Sequence, residues 1–397
     1  MYKSIFLFSG GWTGAFEMFE KHPELCVHVR RLGVDLIYEA LRPELWRDDV
    51  DIDHIAALIE KASGRLLNLQ TFTWSGRRLP PDHLFRTLRN ACPQLKNLHC
   101  LTKSIRIDPG SELFKFDDLA GFTLWVAYDD KISEPTPMQD IPVELGDMLL
   151  QRCPNLNTLS IRLRSMPNIW IQDVEIDRLL SGVWPKLRVC DLEIEVIDSD
   201  PILVWPPAST LRGFFSVHSS ITELMLQSYA RFPTTVLTRE LPLIFDASAL
   251  GQLTSFEGLL QHVAEIPDPA ALKILVLCTV VSETSAEPIL AVLRRLTSLR
   301  GLTLEFSDIK ASTFIRDIVS ACPSVASLHV KFYKTVFNLK QLADFSAGLR
   351  DLSQLRSLYF DKVYSSSDGT LLATALMLLG DIPLLQEICI VNFMANH

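Results

Sequence analysis

The sequence predicts an α/β solenoid, a ladder of short parallel strands with a helix between successive rungs, and three observations carry that prediction. Leucine supplies 63 of the 397 residues. A frame of the form Pro-x-Leu-x-x-Leu-x-Leu returns along the chain, and helix-periodic stretches fill the intervals between its copies. A single strand and helix cannot bury their own apolar faces, so such units must stack on one another.

Composition sets the frame's context. The chain is 48% apolar and 21% charged with a net charge of −9, and Gly with Pro make up only a tenth of it. Collagenous and disordered readings fall away, and a globular protein with a sizeable core remains. No run of like charges offers the clustered basic face that nucleic acid needs, so no nucleic-acid partner is expected. No apolar stretch reaches 18 residues, and the opening MYKSIFLFSGGW has too short an apolar run for a secretory signal. The expectations are no membrane partner and a cytoplasmic or nuclear address. Eight Cys lie scattered with no CxxC pair, which reads as reduced, buried thiols.

The repeat is clearest where Cys precedes Pro, in ACPQLKNLHC from Ala91, RCPNLNTLSI from Arg152 and ACPSVASLHV from Ala321. Chance would give fewer than one Cys-Pro dipeptide from this composition, and all three found share one frame. WPKLRVCDL from Trp184 and IPLLQEICI from Ile382 repeat it without the Cys, and LTSLRGLTLEF from Leu296 and LSQLRSLYFD from Leu352 repeat it without the Pro. With the first Leu-like residue as the mark, units fall at Val29, Leu69, Leu95, Leu119, Leu156, Leu187, Ile221, Leu253, Leu272, Leu299, Val325, Leu355 and Leu385. The copies at Val29, Leu119 and Leu253 are the weakest. Residues 1–28 are expected to form a connector or cap, and residues 29–397 the solenoid.

The last two apolar residues of each frame share one face of an extended strand, and the first packs beneath them at the turn. Parallel strands need a crossover, and PDHLFRTLRNAC from Pro81, VELGDMLLQRC from Val143, AEPILAVLRRL from Ala286, TFIRDIVSAC from Thr313 and LKQLADFSAGL from Leu339 have helical spacing. The Pro- and Ser-bearing stretches Asp129 to Pro142 and Asp198 to Ser209 read as surface insertions.

CPNLNTLSI, WPKLRVCDLEI and LRRLTSLRGLTLEF resemble leucine-rich repeats of the long, irregular kind with a true helix opposite the sheet. The asparagine of shorter repeats is replaced by Arg77, Lys103, Glu195 and Phe393. More narrowly, YKSIFL at Tyr2 to Leu7, KHPELCVHVRRLGV at Lys21 to Val34, LLNLQTFTWSG at Leu66 to Gly76 and HSSITELML at His218 to Leu226 are similar to the fungal F-box proteins with C-terminal leucine-rich repeats. The resemblance implies the substrate-binding arm of a Skp–cullin–F-box ubiquitin ligase. Family members carry an F-box ahead of the YKSIFL-like segment, where this sequence begins, so a Skp adaptor or cullin is expected to bind only if an F-box is supplied upstream. With that segment unsupported, Ile5 to Phe8 should expose apolar surface.

Chemistry-bearing motifs are sparse. No GxSxG, HExxH, P-loop, kinase or EF-hand pattern is present, and His22 and His28 bracket Cys26 without a second ligand pair, so no catalytic residue, cofactor or metal is assigned. Gly10, Gly11 and Gly14 follow an apolar run as a phosphate loop would, but the spacing is GGxxG, Trp12 stands inside it and no Lys follows. A nucleotide-binding enzyme using that loop is the weakest alternative, and a stand-alone scaffold is the nearer one. Asp48, Asp49, Asp51 and Asp53 read as a solvated turn.

A non-enzymatic protein ligand is therefore expected on the open face of the sheet. Alternation places Thr73, Asn97, His99, Thr123, Trp125, Ser160, Arg162, Asp191, Glu193, Met225, Val276, Thr303, Glu305, His329, Lys331, Tyr359 and Asp361 there. Trp125, Arg162, Asp191, Glu193, Glu305, Lys331 and Tyr359 are the candidate contacts, because aromatic residues and Arg dominate interface energetics. For Trp125 a core position is an equal alternative. Arg162 with Arg164 should adjoin Asp191, Glu193 and Glu195 one strand away, internally paired before they are available to a ligand.

Overall fold

The computed structural model describes residues 4–8, 12–36, 51–102, 107–127, 142–164, 174–193, 195–197, 203–227, 243–282, 285–306, 311–336, 339–364, 375–376, 378, 382 and 384–394. It divides into two compact units, Met1–Glu193 and Ile194–His397.

In the first unit the order is β1 (Ser4–Phe8), α1 (Trp12–Lys21), a 3-10 turn (Pro23–His28), β2 (Arg31–Asp35), α2 (Ile52–Ser63), β3 (Thr71–Gly76), α3 (Asp82–Ala91), β4 (Asn97–Thr102), a 3-10 turn (Glu112–Lys115) and β5 (Gly121–Ala127). It ends with α4 (Val143–Asp147), a π turn (Met148–Arg152), β6 (Thr158–Arg164), α5 (Val174–Leu179) and β7 (Val189–Glu193). Each strand pairs in parallel with the next in sequence.

The second unit opens with an antiparallel pair, β8 (Glu195–Ile197) and β9 (Leu203–Trp205). Then follow α6 (Ala208–Val217), β10 (Glu223–Gln227), β11 (Ser255–Gly258), α7 (Leu260–Glu265), β12 (Ile274–Val281), α8 (Ala286–Leu293), β13 (Gly301–Phe306), α9 (Ala311–Ala321), β14 (Ser327–Val336), α10 (Leu339–Leu349), β15 (Ser357–Tyr364) and β16 (Glu387–Met394). From β10 onward every neighbour is again parallel and in chain order. The protein is an α/β solenoid of the leucine-rich-repeat type. Among the described residues no helix is long and apolar enough to cross a membrane.

Every repeat mark stands two residues ahead of a strand, including the weak copies at Val29, Leu119 and Leu253. The mark's N–H closes a turn onto the carbonyl three residues earlier, as in Leu95 to Cys92 (3.0 Å) and Val325 to Cys322 (3.2 Å). The next two N–H groups both donate to one carbonyl of the preceding rung, as Lys96 and Asn97 do to Gln70 (3.0 and 2.9 Å) and Arg300 and Gly301 to Lys273 (2.7 and 2.9 Å). The ladder is thus held by main chain where shorter repeats use an asparagine side chain.

The Cys-Pro phrase has a local cause. A residue before proline is pushed out of the helical region, so Cys92 (φ −116°, ψ 74°) ends α3 and Cys153 (φ −119°, ψ 56°) ends the π turn. The buried Cys322 thiol then reaches the Leu293 carbonyl of the previous repeat at 3.6 Å. Burial pushes the Cys92, Cys100 and Cys322 thiols up to about 12, so they stay protonated.

Three expectations are amended. Residues 1–28 carry β1, which pairs with β2, so the segment holds a rung of the ladder. Of the Asp198 to Ser209 stretch, Leu203–Trp205 is a strand and α6 begins at Ala208. Glu195 does not prolong β7 beyond Glu193 but opens β8. Residues 128–141 of the other proposed insertion, with Gly10, Gly11, Asp48 and Asp49, lie outside the described residues, while Gly14 lies within α1 and Asp51 caps α2 by accepting the His54 N–H at 2.9 Å. In β1, Leu7 is buried and Phe6 is 53% exposed. The Phe6 ring crosses Gly33, where a Cβ would collide with it.

One buried group makes the second unit sensitive to acid. His262 on α7 is fully buried, neither ring nitrogen has a hydrogen-bond partner among the described residues, and burial pushes the imidazole down to about 4. Between pH 6.5 and 4 the unfolded chain binds a proton that the folded chain refuses, so stability falls as pH drops through this window, by about 3 kcal/mol in all. Replacing His262 with Leu is expected to flatten that part of the urea-midpoint profile relative to wild type. Parallel profiles for the two proteins would refute this.

Candidate functional site

Strand alternation creates two unlike faces. On β4, Leu98, Cys100 and Thr102 are buried while Asn97, His99 and Leu101 are partly exposed; β13 repeats the pattern with Leu302, Leu304 and Phe306 buried and Gly301, Thr303 and Glu305 partly exposed. The partly exposed sets define the open face in each unit.

In the first unit, pairing of β5, β6 and β7 sets Thr123, Ser160 and Asp191 in one row and Trp125 beside Arg162 in the next. A closed ring of side chains follows. Trp125 Nε1 donates to Ser160 Oγ at 2.7 Å, Ser160 Oγ donates to Asp191 Oδ2 at 2.7 Å, and Arg162 Nε donates to both Asp191 oxygens at 2.9 and 2.8 Å. Arg162 Nη2 adds a 2.7 Å contact to Asp191, and its guanidinium carbon lies 3.9 Å from the Trp125 ring centroid. Side-chain exposure is 13% for Arg162 and 3% for Asp191, so this is a largely desolvated pair.

Trp125 therefore stands neither in the core nor loose in solvent. Its indole is partly exposed, with one edge tied to Ser160 and one face against a cation. Glu193 is half-buried at the end of β7. The neighbouring His99 imidazole meets Thr123 Oγ1 at 2.8 Å, and burial, then the Arg31 charge, pushes it below the ordinary histidine value. The side chains of Arg164 and Glu195 lie outside the described residues.

In the second unit the remaining candidates fall in two rows. Thr303, His329, Tyr359 and Cys389 are register partners across β13 to β16, and Glu305, Lys331 and Asp361 form the next row. Charges alternate along the latter, with Lys331 Nζ 3.5 Å from Glu305 Oε1. His329 Nε2 meets Asp361 Oδ2 at 3.0 Å, and its ring centroid is 5.8 Å from that of the partly exposed Tyr359. A hydrogen bond to Glu387 raises the Tyr359 phenol above its ordinary value. A bulge in β12 places Val280, not Cys278, beside Glu305.

The sequence reading missed Glu387 as a member of this face, because the repeat ending at Leu385 was read only as far as its apolar positions. It also missed Glu112, a nearly buried carboxylate that meets Arg86, Arg89 and Lys115 at 2.9 to 3.0 Å and is held down to about 2, first by Lys115. That cluster ties α3 to the turn before β5 and leaves the open face alone. No group of His, Cys, Asp and Glu among the described residues is arranged to hold a metal ion. No protein-family model matches the chain, and no curated protein matches it.

Proposed function

We propose that the chain is a non-enzymatic protein-recognition solenoid, the substrate-binding arm of an F-box-type ubiquitin-ligase receptor acting in the cytoplasm or nucleus. The observation supporting recognition is the ring formed by Trp125, Ser160, Asp191 and Arg162. It offers a partner an indole and a guanidinium already fixed in position, so little side-chain freedom is lost on binding. The polar groups of the ring spend their hydrogen bonds on one another, which suits a contact surface better than a reacting centre. The receptor role is supported by the similarity of the YKSIFL, KHPELCVHVRRLGV, LLNLQTFTWSG and HSSITELML segments to F-box proteins.

The test is a fusion of the chain to an F-box, expressed with Skp adaptor and cullin in cells. Proteins ubiquitinated only when the fusion is present are expected to lose that mark when Trp125 is replaced by Ala, in a variant whose circular dichroism and melting match the parent. Marking indifferent to the Trp125 change would overturn the assignment of this face. Absence of any fusion-dependent marking would overturn the receptor role in favour of a stand-alone scaffold.

A further inference from the structure

The position that follows each repeat mark carries a charge bias that the open face does not explain. Its occupants are Arg30, Gln70, Lys96, Ala120, Asn157, Arg188, Thr222, Thr254, Lys273, Arg300, Ala326, Arg356 and Gln386. With 38 Lys and Arg in 397 residues, composition would put one or two cations there; six are present, and none of the 47 acidic residues. Within each unit all of them but the last, Arg188 and Gln386, are the residues whose carbonyls take two N–H bonds from the next rung, so the main chain sets them in a row at the strand entrances.

Within the first unit the row is partly neutralised, since Lys96 Nζ lies 2.6 Å from Asp118 Oδ2. In the second unit Lys273, Arg300 and Arg356 are exposed, and none is paired with a carboxylate among the described residues. Arg300 Nη1 donates to the Ser324 carbonyl, at 3.1 Å. The turns leading into β12, β13 and β15 add Arg295 and Arg350 against Asp268 and Asp351, while Arg294 is taken up by Glu287 at 2.9 Å. This edge is therefore positive on a chain whose net charge is −9. Ile274, 47% exposed beside Lys273, supplies an apolar contact at one end.

We propose that the strand-entrance edge of the second unit, centred on Lys273, Arg300 and Arg356, docks an acidic, extended polypeptide segment. Lys273 and Arg300 are one strand spacing apart, and Arg356 is two further on, a span of ~14 Å. Carboxylates four residues apart on an extended chain are separated by ~13 Å, so one short acidic stretch reaches all three cations. A nucleic acid fits less well. The row holds no aromatic residue on which a base could stack, and the net negative charge opposes a long polyanion. The inference does not depend on the function proposed for the Trp125 ring of the first unit.

The test uses the whole chain and a fluorescein-labelled twelve-residue peptide of alternating Glu and Gly, read by anisotropy at 50 and 150 mM NaCl. The variant Lys273→Glu/Arg300→Glu/Arg356→Glu is expected to bind at least tenfold more weakly. The variant Arg30→Glu/Arg188→Glu, altered at the same register position of the first unit, should stay within twofold of wild type. Carbodiimide, which joins carboxylates to amines, should cross-link the peptide to Lys273 of the unaltered protein, a readout independent of how the variants fold. Equal weakening by both variants, or cross-links spread over other lysines with none at Lys273, would overturn the proposal. So would tighter, row-dependent binding of a single-stranded RNA or of vesicles containing phosphatidylserine, because the edge would then serve another class of ligand.

Discussion

Replacing Asp191 with Ala is expected to destabilise the first unit by about 3–5 kcal/mol, the cost of leaving a buried charge without its partner. Asp191 accepts from Arg162 through Nε and Nη2 and from the Ser160 hydroxyl, all within 2.9 Å. Without it, a guanidinium only 13% exposed loses the carboxylate that both its Nε and Nη2 meet, and Ser160 loses its acceptor while still receiving the Trp125 indole N–H. The double variant Arg162→Met/Asp191→Leu should recover most of the loss, since an apolar pair of similar volume has no charge to desolvate. Urea midpoints followed by Trp fluorescence would check both. A loss below about 1 kcal/mol for Asp191→Ala would mean that water reaches Arg162 and screens its pairing with Asp191.

The second large effect is expected in the core of the other unit. Phe332 on β14 is stacked 5.1 Å from Phe306 on β13 and lies 5.5 Å from Phe360 on β15 and 6.1 Å from Phe345 on α10, so it joins three rungs to the layer behind them. Phe332→Ala removes the whole ring from a site that neighbouring side chains cannot refill, at a cost of about 3–5 kcal/mol. Phe332→Leu keeps most of the volume and is expected to cost under about 2 kcal/mol. Similar melting of the Ala and Leu variants would show that the layer closes over the gap and that Phe332 does not key the rungs together.

How far the sequence reads ahead of the structure depends on where each rung's information lies. Marks such as Leu95 and Val325 were legible because three apolar residues at fixed spacing are required by one local event, a closed turn feeding a strand. β1 was not, because its entrance precedes Ser4 and carries no leucine frame, and the glycines that follow it read as a connector. The hairpin of β8 and β9 was hidden by its prolines, and Glu195 was misplaced because alternation continued on paper past the point where β7 stops. At the candidate site, period-two alternation correctly set Trp125, Arg162 and Asp191 on one face. The closure of their ring through Ser160 depends on three strands meeting in register, which no single stretch of sequence encodes. The cationic row needed only the residue after each mark to be compared across repeats, and attention to the apolar positions passed over it.

The doubled N–H bonds to a single carbonyl, made at rung after rung, bear on how such a chain can evolve. Any residue except proline supplies those groups, and the marks ask only for apolar bulk, met here by Leu, Val and Ile alike. Selection on the scaffold is therefore blind to identity at most positions and strict about spacing alone. Two descendants can drift until their alignments dissolve while their ladders still superimpose, and an intervening loop can lengthen without disturbing the next rung. Lineages built this way are free to spend their variation on the faces that meet other molecules.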